Sequence, residues 1–257
     1  MEAKQISDYA AEQASLRVRM REMFLSDEVP EDLGLFPATL IMPVGPSVPS
    51  LLSPTRWKME WQRLVKRGKD FASIMLLKWQ LGRKIKIQLR KTAPTAMVLH
   101  RQVYSAFAEG DEGEVRKIAT EGVRDKLINK IQARPGNTAY YWDLVRYVGR
   151  PRVVSHRVSD MPIPKSDDGP SMLRQAVVRI QSVQRLTRED APENVEDEKD
   201  LPEPEDTEKN VVEYVVIQKR ILRGEEEPWK FWGTTEPTKV EDFADTLDNP
   251  TPTNAAT

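Results

Sequence analysis

The stretch VVEYVVIQKRILRGEEEPWKFWG, Val211 to Gly233, decides how the chain folds. Val, Ile and Tyr fill Val211 to Leu222, the composition of a strand on a half-buried pleated surface. Gly224 to Pro228 then carries turn residues, and Trp229 to Trp232 resumes as a short strand ending at Gly233. Upstream, Met172 to Leu186 reads as a long strand, and Ala139 to Val148 and Arg152 to Val158 as two more, rich in Tyr, Trp and Val.

Before Pro135-Gly136 the apolar period is helical. Leu99, His100, Val103, Tyr104 and Phe107 share one face of a helix over Ala96–Ala108, which Gly110 closes. Asp111 and Glu114 stand at capping-box spacing for the next helix, and Val123, Leu127, Ile128 and Ile131 form the face of a further one. Helices first and antiparallel strands after give an α+β fold, with the helices packed on one face of a curved sheet.

The N-terminal third is different. Residues 1–25 read as a short helix. Pro30, Pro37, Pro43, Pro46, Pro49 and Pro54 then enforce extended backbone. This strap holds Leu33, Leu35, Phe36, Leu40, Ile41 and Met42, too apolar for a disordered linker, and is expected to lie along another surface. Arg56 to Lys91 reads as a helix with a break near Gly68 and a stop at Pro94. Its stripe is Ile74, Leu77, Leu81, Ile85 and Leu89, and Trp57, Trp61 and Trp79 add amphipathic rings. The divisions are therefore residues 1–54 (helix and strap), 55–94 (basic arm), 95–240 (α+β domain) and 241–257 (tail). An acidic loop at 189–209 is inserted between two strands.

The net charge of −1 hides blocks of opposite sign. From Arg56 to Arg101 there are thirteen Lys or Arg against Glu60 and Asp70, whereas Glu189 to Lys209 holds eleven acids and two lysines. The acidic block has no material for a core and reads as a solvated loop. Cysteine is absent, which excludes disulfides, thiolate metal sites and thiol nucleophiles. No apolar run approaches the roughly 20 residues that span a bilayer. Glu2, Asp8 and Glu12 do not suit an acid-poor transit peptide.

Two segments carry a resemblance. Val103 to Asp111 with Ile118 and the Val123–Ile131 helix is one, and Val212 to Gln218 leading into Trp229 to Gly233 is the other. Together they resemble the domain shared by the inner-membrane translocase's import-motor scaffold and the mitochondrial ribosome receptor family, over roughly Lys78 to Val240. Chain length, the strap and the Trp-bearing basic helix favour the ribosomal branch. The resemblance implies a cone-shaped, nuclear-transport-factor-like fold beside the polypeptide exit tunnel, facing the inner membrane and its insertase from the matrix. The expected partners are mitochondrial ribosomal RNA, large-subunit proteins, the membrane surface and possible nascent chains. An import-motor scaffold is the alternative, and a small-molecule binder or enzyme using the cone's interior is a third.

Chemistry has few candidates. His100 lies on an apolar helix face, where a packed core histidine is the simpler account. Asp143 suits a hydrogen-bonded structural role, and His156 a sheet surface or an RNA contact. Tyr104 and Tyr140 complete the set. No phosphate loop, paired-His metal spacing or nucleophile elbow is present. The expectation is a protein without catalysis, cofactor, metal or small-molecule substrate. Its function rests on the basic arm, where cations interleaved with Trp suit RNA or an anionic membrane. The RNA- or partner-binding candidates on the arm's first half are Arg56, Trp57, Lys58, Trp61, Arg63, Lys66 and Arg67. Arg83, Lys84, Lys86, Arg90 and Lys91 are those on its second half.

Overall fold

In the computed structural model the described residues are 31–37, 39–43, 48–50, 52–82, 87–135, 138–161, 169–190, 208–238 and 240. Among them are four helices: α1 (Pro54–Leu81), α2 (Leu89–Glu109), α3 (Glu112–Ile118) and α4 (Glu121–Gln132). Six strands follow: β1 (Thr138–Tyr147), β2 (Arg152–Asp160), β3 (Met172–Asp190), β4 (Glu208–Leu222), β5 (Glu225–Glu226) and β6 (Lys230–Thr235). The expected helix at 1–25, the middle of the acidic loop, the tail after 240 and Arg83, Lys84 and Lys86 lie outside the described residues.

All the strands join one open antiparallel sheet whose spine is β3. One edge of β3 takes β2 along its first half and β1 along its second; β4 runs along the other edge and carries β5 and β6. Register shifts at Leu144/Arg146, Val153/Ser155 and Val216/Ile217 bend the strands and curve the sheet. This is the expected α+β architecture, with β3 and β4 longer than their composition suggested. Cross-strand pairing continues to Thr138↔Asp190 and Arg185↔Glu208, so the acidic block begins and ends in the ladder.

Alternation along the strands makes two buried faces. Ala176, Val178 and Ile180 of β3, with Val215 and Ile217 of β4 and Phe231 of β6, pack on Ala96, Leu99 and Val103 of α2. The opposite face presents Val177, Tyr214 and Val216 to Ile41, and Leu173 to Phe36. The strap thus covers the chain's own sheet rather than a neighbour. Its backbone is satisfied by buried glutamines of that face: Phe36 N–H donates to Gln175 Oε1 (2.9 Å), and Gln218 Nε2 donates to the Glu31 carbonyl (2.7 Å).

Three local expectations fail, each for a physical reason. α1 runs unbroken through Gly68, because one helical glycine costs only about 1 kcal/mol. It stops instead at Gly82, whose positive φ of 55° and N–H to the Lys78 carbonyl (2.9 Å) end the helix. Pro94 does not end a helix but sits in the second turn of α2. There it forfeits one N–H, while Ala96, Leu99 and Val103 bury the continuation against the sheet. The predicted cap of α3 is present, with Asp111 Oδ1 accepting from Glu114 N–H (2.9 Å).

Candidate functional site

Helix α1 lies along β2, an edge strand. Ser73 Oγ accepts from Val158 N–H (3.2 Å), and Asp70 Oδ2 accepts from Ser155 Oγ (2.7 Å). Arg157 pairs with Asp70 at 3.4 Å. Burial raises the Asp70 carboxyl, against the pull of Ser155 and Arg157. Met59, Ile74, Leu77 and Leu81 are buried on the inner side, the last two against Met172 and Ile221. Edge groups that would otherwise be open to another strand are taken up by this helix.

The outer side of α1 is also apolar. Trp57, Trp61 and Leu64, then Phe71, Met75 and Trp79, recur at three or four residues on either side of a seven-residue step across Gly68, and all are exposed, Trp57 by 70%, Trp61 by 65% and Trp79 by 81%. Val65 and Leu76 widen this face, and Gly68 and Ala72 interrupt it with neither charge nor bulk. At 100° per residue the face spans more than a third of the circumference. Lys58 and Lys69 fall along one border, Arg67 and Lys78 along the other, all exposed. Of the stripe expected from the sequence, Ile74, Leu77 and Leu81 face inward, whereas Leu89 opens α2 and is exposed, and Ile85 lies outside the described residues. The outward stripe follows the same 3.6-residue period from Trp57 to Trp79, and its glycine and alanine positions blur it in the sequence.

The predicted cations divide. Arg56 and Arg63 both bind Glu60, at 2.9 Å each. Lys66 is half-buried, and burial together with Arg157 and Lys69 lowers its pKa. Lys58 and Arg67 stay exposed on α1, as do Arg90 and Lys91 in the first turn of α2.

Three of the five chemistry candidates, His100, Tyr104 and His156, occupy two largely buried networks. His100 Nε2 and Gln184 Nε2 lie 2.9 and 2.7 Å from Glu213 Oε2, and the Tyr104 hydroxyl donates to Glu213 Oε1. Burial raises the Glu213 carboxyl, but the hydrogen bonds from His100, Tyr104 and Gln184 outweigh it and hold the group below its ordinary range. Burial and the Glu213 charge raise the Tyr104 phenol, which stays a donor. Asp143 and Tyr140 are not in this network, and Asp143 is exposed rather than tied into the strand.

His156 is not on a sheet surface. It is buried, its Nε2 accepts from Arg174 Nε (2.8 Å), and its ring meets Trp229 edge-on. Arg174 and Lys219 are balanced by Glu226 at 3.5 and 2.9 Å. Burial first, then Arg174 and Lys219, push the imidazole down to about 3. The unfolded chain protonates this histidine near pH 6.5 and the folded chain does not. Its contribution is complete above pH 6.5 and declines as pH falls, by about 1.4 kcal/mol per unit. Urea unfolding should show about 2 kcal/mol less stability at pH 5 than at pH 7 from this group. His156→Gln, which retains an acceptor for Arg174, should flatten that difference; an equal slope in the variant would refute the assignment.

Among the described residues no cluster of three or more His, Asp and Glu is arranged to hold a metal ion, and no helix is long and apolar enough to cross a membrane. The model of the MBA1-like protein family matches residues 41–252, from the strap through the sheet and beyond. The chain belongs to the MBA1-like family. This family is mitochondrial and associated with the inner membrane, with a general ribosome-binding role, and it is a docking family rather than a known family of enzymes. A search of curated proteins returns no match to this MBA1-like chain. Among solved structures it is similar to the intermembrane space region of chloroplast protein ARC6, at 12% identity over 57% of this chain and 97% of that one, with a TM-score of 0.30. A likeness that remote carries no argument.

Proposed function

We propose that this chain is a non-catalytic docking component of the mitochondrial large ribosomal subunit, seated near the polypeptide exit and holding the ribosome against the matrix side of the inner membrane. The observation that carries this reading is the outward face of α1, an uncharged strip bordered by exposed Lys and Arg on a helix that cannot span a bilayer. Such a helix lies in the plane of the interface, with its rings at headgroup depth and its cations on anionic lipid.

The polyanion contacts then divide. Lys58, Lys69, Arg67 and Lys78 serve the lipid surface, and Arg90 and Lys91, with Arg83, Lys84 and Lys86, serve ribosomal RNA. These RNA contacts are positional and do not read sequence. If five phosphates are neutralised, log K should fall with log salt at a slope of roughly −3.5 to −4.5. Changing Arg83, Lys84 and Lys86 together to Glu should weaken co-sedimentation with large subunits and leave vesicle binding intact. Unchanged co-sedimentation would count against this placement. Complete failure of the wild-type chain to co-migrate with large subunits at moderate salt would instead favour the import-scaffold alternative.

A further inference from the structure

Between α2, α4 and the ends of β1, β3 and β4 lies a cavity of about 570 Å³. Its walls are aromatic, with Tyr104 and Phe107 from α2 and Tyr140 and Trp142 from β1. Tyr104 and Trp142 stack with centroids 5.3 Å apart and planes 22° apart, giving a continuous ring surface. Arg134 lies over the Phe107 and Tyr140 rings (4.5 and 4.8 Å) and is fixed by the Phe107 and Ala108 carbonyls. Lys130, Arg188 and Lys209, from three separate elements, bring further positive charge, and among the described residues no Asp or Glu lines the space.

The polar wall is already saturated. Gln184 Nε2 donates to Ser182 Oγ (2.9 Å) and to Glu213 (2.7 Å), and its Oε1 accepts from Trp142 Nε1 (3.0 Å). Few directional groups remain to read a ligand's hydrogen-bonding pattern. What the cavity offers is ring faces and positive charge. We infer that it binds a small aromatic anion, a flat ring system carrying a carboxylate or phosphate. Its volume is that of sites for ligands of this size, roughly 300–1,000 Å³. A saturated chain would gain burial but no stacking, and a neutral ring would gain stacking but no charge pairing. No local motif marks this site in the sequence, because the four cations lie on α4, on its C-terminal side and on two strands, and come together only in the fold. This inference does not depend on the ribosomal reading.

Calorimetric titration of the full chain at low salt tests it with four probes: naphthyl phosphate, naphthoate, naphthalenemethanol and hexyl phosphate. The first two should bind saturably, one per chain, and the last two about tenfold or more weaker. A preference between phosphate and carboxylate identifies the source as nucleotide-like or as an aromatic acid, and either supports the site. Lys130→Glu with Lys209→Glu, both exposed, should weaken naphthyl phosphate about tenfold without altering the fold. Val211→Trp should block the cavity. Equal binding of hexyl phosphate or of naphthalenemethanol overturns the proposal, as does affinity indifferent to the double charge reversal or no saturable binding at all.

Discussion

Replacing Trp57, Trp61 and Trp79 together by Ala should lower the affinity of the chain for anionic vesicles by about a hundredfold or more, with little change in stability. Each ring presents on the order of 150–250 Å² of surface, most of it exposed here. At roughly 25 cal/mol per Å², seating half of that area in the interface contributes about 2–3 kcal/mol per ring. Three rings together exceed the roughly 2.8 kcal/mol that a hundredfold change represents. Stability should barely move, because the residues that fix α1 to the domain are Met59, Ile74, Leu77 and Leu81 on its other side. Vesicle flotation measures the effect. Raising salt should weaken wild-type binding by screening Lys58, Arg67, Lys69 and Lys78, and the triple variant should still co-sediment with ribosomes. Flotation unchanged in that variant would remove α1 as the membrane contact.

A second large effect is expected at Glu213. Glu213→Ala should destabilise the chain by about 3–5 kcal/mol, since it strips the shared acceptor from Tyr104, His100 and Gln184 in a buried setting. Because hydrogen bonding holds this carboxyl below its ordinary value, its contribution is present above about pH 4.5 and is lost as pH falls through the folded value. The deficit of the variant should therefore shrink in acid, in a window that overlaps the lower end of the His156 range but cancels it, because both proteins keep His156. Urea unfolding of both proteins at pH 7 and pH 4 reads this. A deficit under about 1 kcal/mol at pH 7 would mean that the network is not holding the sheet to α2.

Period and punctuation determined the element types. Strands over Val211–Leu222 and Met172–Leu186, helices over Ala96–Ala108 and Val123–Ile131, and the Asp111 cap are all consequences of local chemistry, legible without knowing what packs on what. Gly68 and Pro94 do not obey local chemistry alone, because the roughly 1 kcal/mol of a glycine, or one missing N–H, is smaller than the burial that tertiary packing supplies on either side. Charge density on the arm was also plain from composition, but its direction was not. Which of two apolar stripes faces the domain depends on β2 offering its edge to Asp70 and Ser73, a contact across some 85 residues. The strap's partner, the burial of His156 beneath Arg174 and the meeting of Lys130, Arg188 and Lys209 around one cavity belong to the same class. Each joins residues far apart in the chain, and only the folded sheet fixes the distance between them.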